Sequence, residues 1–294
     1  MTTSHADPVS PVVAGIGAAA RERRAAALDA WLVQLLADGL RRTGVPRPRP
    51  ADADPGQLGV ALVAVGGLGR RQCAPRGDLD LVLLHAGTPG VDELAAALWY
   101  PIWDARIGLD HSVRTVDEAL SVAREDVKVA LGLLDARHVA GDANLSAQLI
   151  SAATEQWRRG ATRVLPVLRE LTEARWRAHG ELAFLLEGDL KEAAGGLRDV
   201  GVLRAIARAG LSDTLRPAVR AAHVRLLDTR DALHQSVGRR VDRLLAQERD
   251  AVAGLLGLDD GDALLRRVAS DARTVRHALA DAWRAADRFR SMRF

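Results

Sequence analysis

Val60-Ala61-Leu62-Val63-Ala64-Val65-Gly66-Gly67-Leu68-Gly69-Arg70 and, a few residues later, Pro75-Arg76-Gly77-Asp78-Leu79-Asp80-Leu81-Val82-Leu83-Leu84 decide the fold of this chain. An apolar run rich in Val, Ala and Leu stops at a Gly pair. A second begins just after two carboxylates spaced i, i+2. The pattern predicts a strand, a glycine turn with a short helix, and an acidic strand. Residues i and i+2 of a strand share a face, so Asp78 and Asp80 are expected to project together while Leu79 turns into the core.

Two carboxylates held side by side repel one another unless a cation lies between them. Mg²⁺ suits such a pair: it takes carboxylate oxygen, keeps several waters and accepts further ligands from substrate phosphates. Gly66 and Gly67 lack a Cβ, so backbone N–H groups and the following helix start can approach a polyphosphate closely. The expectation is a metal-dependent nucleotidyl-transfer site, with Asp78 and Asp80 as catalytic metal ligands.

Working outward, residues 14–42 read as a helix with an apolar stripe of Leu28, Leu32, Leu35 and Leu36. Residues 1–13 read as a disordered N-terminus, and Pro46, Pro48 and Pro50 open a proline-rich connection through Gly56. Beyond the acidic strand, another helix leads to Trp99 and Trp103. Alternation around Leu109, His111 and Val113 predicts a third strand, on which Ser112 and Arg114 share one face and could meet a nucleotide. His111 reads as structural. Residues 116–141 read as continuous helix, and residues 144–294 as helical almost throughout, interrupted at Pro166 and around 187–199.

The 294 residues carry 41 basic and 38 acidic side chains, a net charge of only +3, interleaved along the helices, so no basic nucleic-acid arm is expected. Cys73 is the single cysteine, which excludes an intrachain disulfide and a multi-thiolate zinc site. No signal-peptide pattern and no bilayer-length apolar stretch occur, and the expectation is a cytoplasmic protein with no membrane partner. His223, His234 and His277 read as plain helix residues, since none sits in a His-Asp motif.

Gly66-Gly67 followed by Asp78-x-Asp80 resembles the signature of the nucleotidyltransferase superfamily. Gly66-Gly67-Leu68-Gly69-Arg70 with Pro75-Arg76-Gly77-Asp78-Leu79-Asp80 resembles more closely the bacterial PII uridylyltransferase/uridylyl-removing family, with Gly77 where that family has Ser. The likeness continues through Trp103-Asp104, the stretch His111-Ser112-Val113-Arg114-Thr115, Leu134-Asp135-Ala136-Arg137, and Gly141-Asp142. It resumes in Asp189-Leu190-Lys191 and Gly195-Gly196-Leu197-Arg198-Asp199, where Ala194 replaces a family Pro and is expected to loosen the turn.

The resemblance implies an α+β fold: a small nucleotidyltransferase-type mixed β-sheet core over residues 14–143, then a helical-bundle domain over 144–294 closing over its cleft. It implies transfer of UMP, or AMP, from UTP or ATP to a tyrosine of a PII signalling protein, with Mg²⁺ held by Asp78 and Asp80. Gly66, Gly67, Arg70, Ser112, Arg114, Lys191, Arg198 and Asp199 are the implied nucleotide-binding residues. Asp110, Asp126 and Asp135 are the candidates for a third carboxylate, Asp110 reading more simply as a turn residue and the other two as helix surface. Full-length members of the family carry a His-Asp phosphohydrolase domain and amino-acid-sensing domains after such a region, and the resemblance implies the transferase region without them. Two alternatives remain: an inactive relative binding PII or nucleotide as a regulator, or a transferase acting on glutamine synthetase or a small molecule.

Overall fold

The computed structural model describes residues 15–45, 59–211 and 213–291. The expected disordered N-terminus and proline-rich connection lie outside the described residues. The fold class is α+β, a mixed sheet with helices followed by a helical region, and contacts divide the chain into two compact units near Glu155 and Gln156.

The first unit contains α1 (Ala18–Thr43), β1 (Val60–Ala64), α2 (Gly66–Gly69), β2 (Leu79–His85), α3 (Val91–Asp104), β3 (Leu109–Arg114), α4 (Val116–Glu125), α5 (Val127–Leu134), β4 (Arg137–Gly141) and the start of α6 (Ala143–His179). Strand order is β3-β2-β1-β4. Strand β1 runs antiparallel to β2 and β4, and β2 lies parallel to β3. That parallel pair needs a crossover, which α3 supplies.

Both faces of the sheet are covered, which explains why β1 is apolar at every position rather than alternating. On one face Leu62, Leu79, Leu81 and Leu83 pack with Leu32, Leu35 and Leu36 of α1 and with Leu94, Leu98 and Ile102 of α3. On the other, Ala61, Val63, Val82 and Leu84 pack with Ala119 and Ala123 of α4, Leu133 of α5 and Leu149 of α6. Each such leucine contributes about 2 kcal/mol by leaving water. Pro101 sits inside α3 and has no N–H to give to the carbonyl four residues back. That carbonyl, of Ala97, accepts from Arg42 Nη2 at 3.0 Å instead.

Residues 116–141 are not one helix. Asp126 ends α4 and caps α5, its Oδ1 accepting from the amides of Lys128 (2.7 Å) and Val129 (3.4 Å), and residues 137–141 form β4 on the far edge of β1. The tertiary need of β1 for a second neighbour overrides the local helical pattern.

The second unit holds the rest of α6, then α7 (Leu197–Arg208), α8 (Pro217–Val237), α9 (Arg249–Leu255) and α10 (Gly261–Ser291). Helix α6 runs through Pro166 without the expected break. Helix α8 stops at Gly238, in the left-handed region at φ 70°. Leu203 and Ile206 of α7, Leu226 and Leu233 of α8, and Leu264 and Val275 of α10 are buried in this unit. Among the described residues no helix is long and apolar enough to cross a membrane.

Candidate active site

The glycine bend follows directly from β1. The amide of Val65 donates to the carbonyl of Asp80 (3.0 Å), and α2 closes through Gly69 N–H to Val65 O (3.0 Å) and Arg70 N–H to Gly66 O (3.1 Å). Like any helix start, this leaves the first-turn amides, those of Gly66, Gly67 and Leu68, without intrahelical acceptors. Gly66 has φ +55°, and a Cβ there would strike the carboxylate of Asp80. Gly67 differs: the nearest atom to a Cβ would be Gln72 O at 3.9 Å, so packing does not demand a glycine there. Gly69 is required by its neighbours, since a Cβ would strike the carbonyl of Asp135.

Asp80 therefore meets the bend as expected. Asp78, one residue before β2, does so less directly: a Cβ on Gly108 would strike its carboxylate, which leans toward the β3 side while Asp80 leans toward the β1 side. Asp110 is not a turn residue. It lies within β3 in register with Asp80, and Ser112 and Arg114 follow on the same face opposite Val82 and Leu84. The other third-carboxylate candidates are engaged elsewhere, Asp126 as the α5 cap and Asp135 in an ion pair with Arg70 Nη1 at 2.5 Å. Among the described residues no group of three His, Cys, Asp or Glu side chains is gathered to hold a metal. The donors nearest the bend are carboxylate oxygens, hard ligands of the type a divalent cation such as Mg²⁺ takes together with water and substrate oxygen. His111 points to the opposite face, its ring tilted against Trp99 (centroids 5.0 Å apart) and edge-to-face with Trp103 (5.6 Å), in keeping with a structural role.

Several arginines brace the bend. Arg70, assigned to nucleotide from the sequence, donates to Asp135 and to Gln72 Oε1 (3.0 Å). Arg71, non-glycine with φ 57°, donates to Glu22 (2.8 Å) and Asp29 (2.8 Å) of α1. Arg137 forks onto Asp29 and also donates to the carbonyls of Leu68 and Gly69. Burial pushes the Cys73 thiol up to about 11, which keeps it protonated and unsuited to nucleophilic attack.

The other motif lies in the second unit, in the irregular stretch before α7. Asp189 Oδ1 accepts from the amides of Lys191 (2.8 Å) and Glu192 (2.7 Å), and Leu190 N–H donates to Asp242 O at 2.8 Å. Gly195 has φ +85° and rests on the backbone of Ala272. Asp199 is 0% exposed and accepts from Arg175, from Trp176 Nε1 (3.0 Å) and from the amide of Gly195 (2.7 Å). The nucleotide contact expected of Asp199 is thereby corrected: its carboxylate is sealed in the fold. Arg198 is half-exposed and pairs with Glu192 at 3.1 Å. Burial, then repulsion from Arg198, lowers the Lys191 ammonium below its ordinary value. Ala194 does not loosen its turn, because its N–H donates to Gly180 O (2.9 Å) and its carbonyl accepts from Leu182 (3.0 Å).

No family model matches the sequence. A bifunctional uridylyltransferase/uridylyl-removing enzyme of Streptomyces coelicolor is 51% identical over 267 residues, covering 86% of this chain and 32% of that protein. Proteins of the same name from Mycobacterium tuberculosis and Corynebacterium glutamicum are 48% and 39% identical over 227 residues each, covering 74% and 76% of this chain. The chain belongs to the uridylyltransferase/uridylyl-removing family, matching one part of its members' length. It spans about a third of the relatives it matches, 32%, 28% and 32% in these three.

Within this uridylyltransferase-family chain, sequence reasoning missed Asp29, Glu22 and, as a brace, Arg137. The first two carry no local signal. It also missed a His-Asp contact made in space: His234 is buried, with Nε2 3.5 Å from Asp242 Oδ1, and Arg230 Nε lies 2.6 Å from the same carboxylate. Burial by itself would raise the Asp242 carboxyl. The neighbouring His234 imidazole and the charges of Arg230 and Lys191 outweigh it and hold the group well below the usual carboxylate range.

Proposed function

We propose that this chain is a metal-dependent nucleotidyltransferase that moves UMP, or AMP, from the triphosphate to a tyrosine hydroxyl of a PII nitrogen-signalling protein. The observation that carries the reading is the carboxylate of Asp80 set against Gly66, with Asp110 beside it in register on the parallel strand. The kinship with uridylyltransferase/uridylyl-removing enzymes supports the nucleotide and acceptor classes.

In this reading Asp80 and Asp78 hold the cation, with Asp110 as the third carboxylate. Mg²⁺, when bound, neutralises developing phosphate charge and lowers the acceptor hydroxyl's pKa. The first-turn amides of α2, at Gly66 and Gly67, receive phosphate oxygens, and Ser112 and Arg114 line the same sheet face. The tyrosine oxygen bonds to the α-phosphorus, the bond from that phosphorus to the β-bridging oxygen breaks, and pyrophosphate leaves. Positioning and charge neutralisation carry such a transfer. In the second unit, Lys191 and Arg198 carry charge types, an ammonium and a forked guanidinium, that suit phosphate oxygens.

The test is incubation with α-labelled UTP or ATP, Mg²⁺ and PII protein. Label is expected on PII, and Asp78→Asn with Asp80→Asn is expected to abolish transfer while nucleotide binding stays measurable. Wild-type turnover by that double variant would refute the metal assignment. A second reading, a regulator that binds nucleotide without transferring it, draws on the opposite leanings of Asp78 and Asp80. It predicts triphosphate binding with no labelled product.

A further inference from the structure

One carboxylate of α1 organises the glycine bend from outside it. Asp29 Oδ1 accepts Arg137 Nη2 at 2.9 Å, and Asp29 Oδ2 accepts Arg137 Nη1 at 3.0 Å and Arg71 Nη1 at 2.8 Å. Thus anchored, Arg137 donates to the two carbonyls at the C-terminal end of α2, with Nη2 3.1 Å from Leu68 O and Nε 3.3 Å from Gly69 O. Arg71, the other guanidinium on Asp29, belongs to the left-handed residue that ends the bend, and its own amide donates to Leu68 O at 3.0 Å. The forked planar donor is what lets Arg137 grip a carboxylate and two carbonyls together, and an ammonium has no such geometry.

A four-residue helix cannot hold its own orientation, because it contains too few internal bonds. Its start is tied to β1 and, through the Val65 amide, to Asp80 O, so the tilt of its first-turn amides about that tie depends on what holds its other end. We propose that Asp29, through Arg137 and Arg71, is a positioning residue for the nucleotide's phosphates: it fixes the tilt of α2, and so the aim of the Gly66 and Gly67 amides relative to Asp80. The inference rests on the nucleotidyltransferase reading above and adds to it residues that touch no substrate.

Charge and geometry predict opposite signs here, which makes the inference testable. Asp29→Asn removes a negative charge near the phosphate site, so electrostatics alone would tighten triphosphate binding. Arg137→Lys leaves the net charge unchanged and removes only the fork. Positioning predicts that both variants of the full chain, melting cooperatively by circular dichroism, bind the triphosphate about tenfold more weakly by calorimetric titration with UTP and with ATP in Mg²⁺. In transfer assays KM for that triphosphate rises by a similar factor, while KM for the PII acceptor is unchanged. A purely structural brace would lower melting temperature and active fraction and leave the nucleotide KM alone. Affinity within about twofold of wild type in Arg137→Lys, or tighter binding by Asp29→Asn, overturns the proposal. If the wild-type protein binds neither triphosphate, the underlying reading fails before any variant is made, and the proposal falls with it.

Discussion

Gly66→Ala and Gly67→Ala are chemically identical changes at adjacent positions, and the structure gives them opposite consequences. Gly66 has φ +55°, where an L-residue costs about 1–2 kcal/mol, and its new methyl would strike the Asp80 carboxylate. Moving that carboxylate adds an overpacking cost of about 1–3 kcal/mol, so Gly66→Ala should destabilise by about 2–5 kcal/mol. At Gly67 the nearest atom to the new methyl would be 3.9 Å away. Ala is the better helix former by up to about 1 kcal/mol, so stability should hold or rise slightly. If a phosphate oxygen must approach the Gly67 amide, however, the methyl stands in its way, and losing one such contact costs about a hundredfold in turnover. Denaturant melts of both variants, with label-transfer rates measured side by side, give the answer. A Gly67→Ala protein that keeps its stability and its turnover would refute the backbone cradle, and a Gly66→Ala protein as stable as wild type would refute the close approach of Asp80.

Three further outcomes follow from the second unit. Asp199→Ala leaves Arg175 and the Trp176 indole without their buried acceptor and should cost about 3–5 kcal/mol in a chemical melt, as breaking a buried pair does. Ala194→Pro removes the N–H donated to Gly180 and should lower stability by about 1–3 kcal/mol, even though the family carries Pro there. Asp242, whose folded pKa is depressed, contributes stability that is complete above its unfolded value of 3.8 and fades as pH falls through and below it toward the folded value. Asp242→Asn should therefore be less stable at pH 7 and show a shallower acid loss, and parallel pH–stability curves for the two proteins would exclude the depressed carboxyl.

The strand, bend and acidic strand were legible because hydrophobic runs and a Gly pair are local signals. Strand β4 was not: Arg137-His138-Val139-Ala140-Gly141 follows a leucine-rich helix, and only pairing with β1 makes it extended. Asp110 read as a turn residue from its place at the start of the third strand, but parallel register with β2 places it within β3, opposite Asp80. The braces were invisible for another reason. Asp29 meets Arg71 across 42 residues and Arg137 across 108, and no local pattern pairs an acid on one helix with arginines so distant. Asp199 shows the converse error, where a motif residue that invited a ligand role is spent on folding.

Helix α1 shares no motif with the superfamily signature, yet it supplies Leu32, Leu35 and Leu36 to the sheet, Arg42 to the orphaned carbonyl of Ala97, and Asp29 to the arginines behind the bend. Trimming a minimal transferase module by its signature residues would start at β1, retain Gly66, Gly67, Asp78 and Asp80, and discard the buttress behind them. Anyone transplanting this module into another protein should carry Ala18–Thr43 along with it.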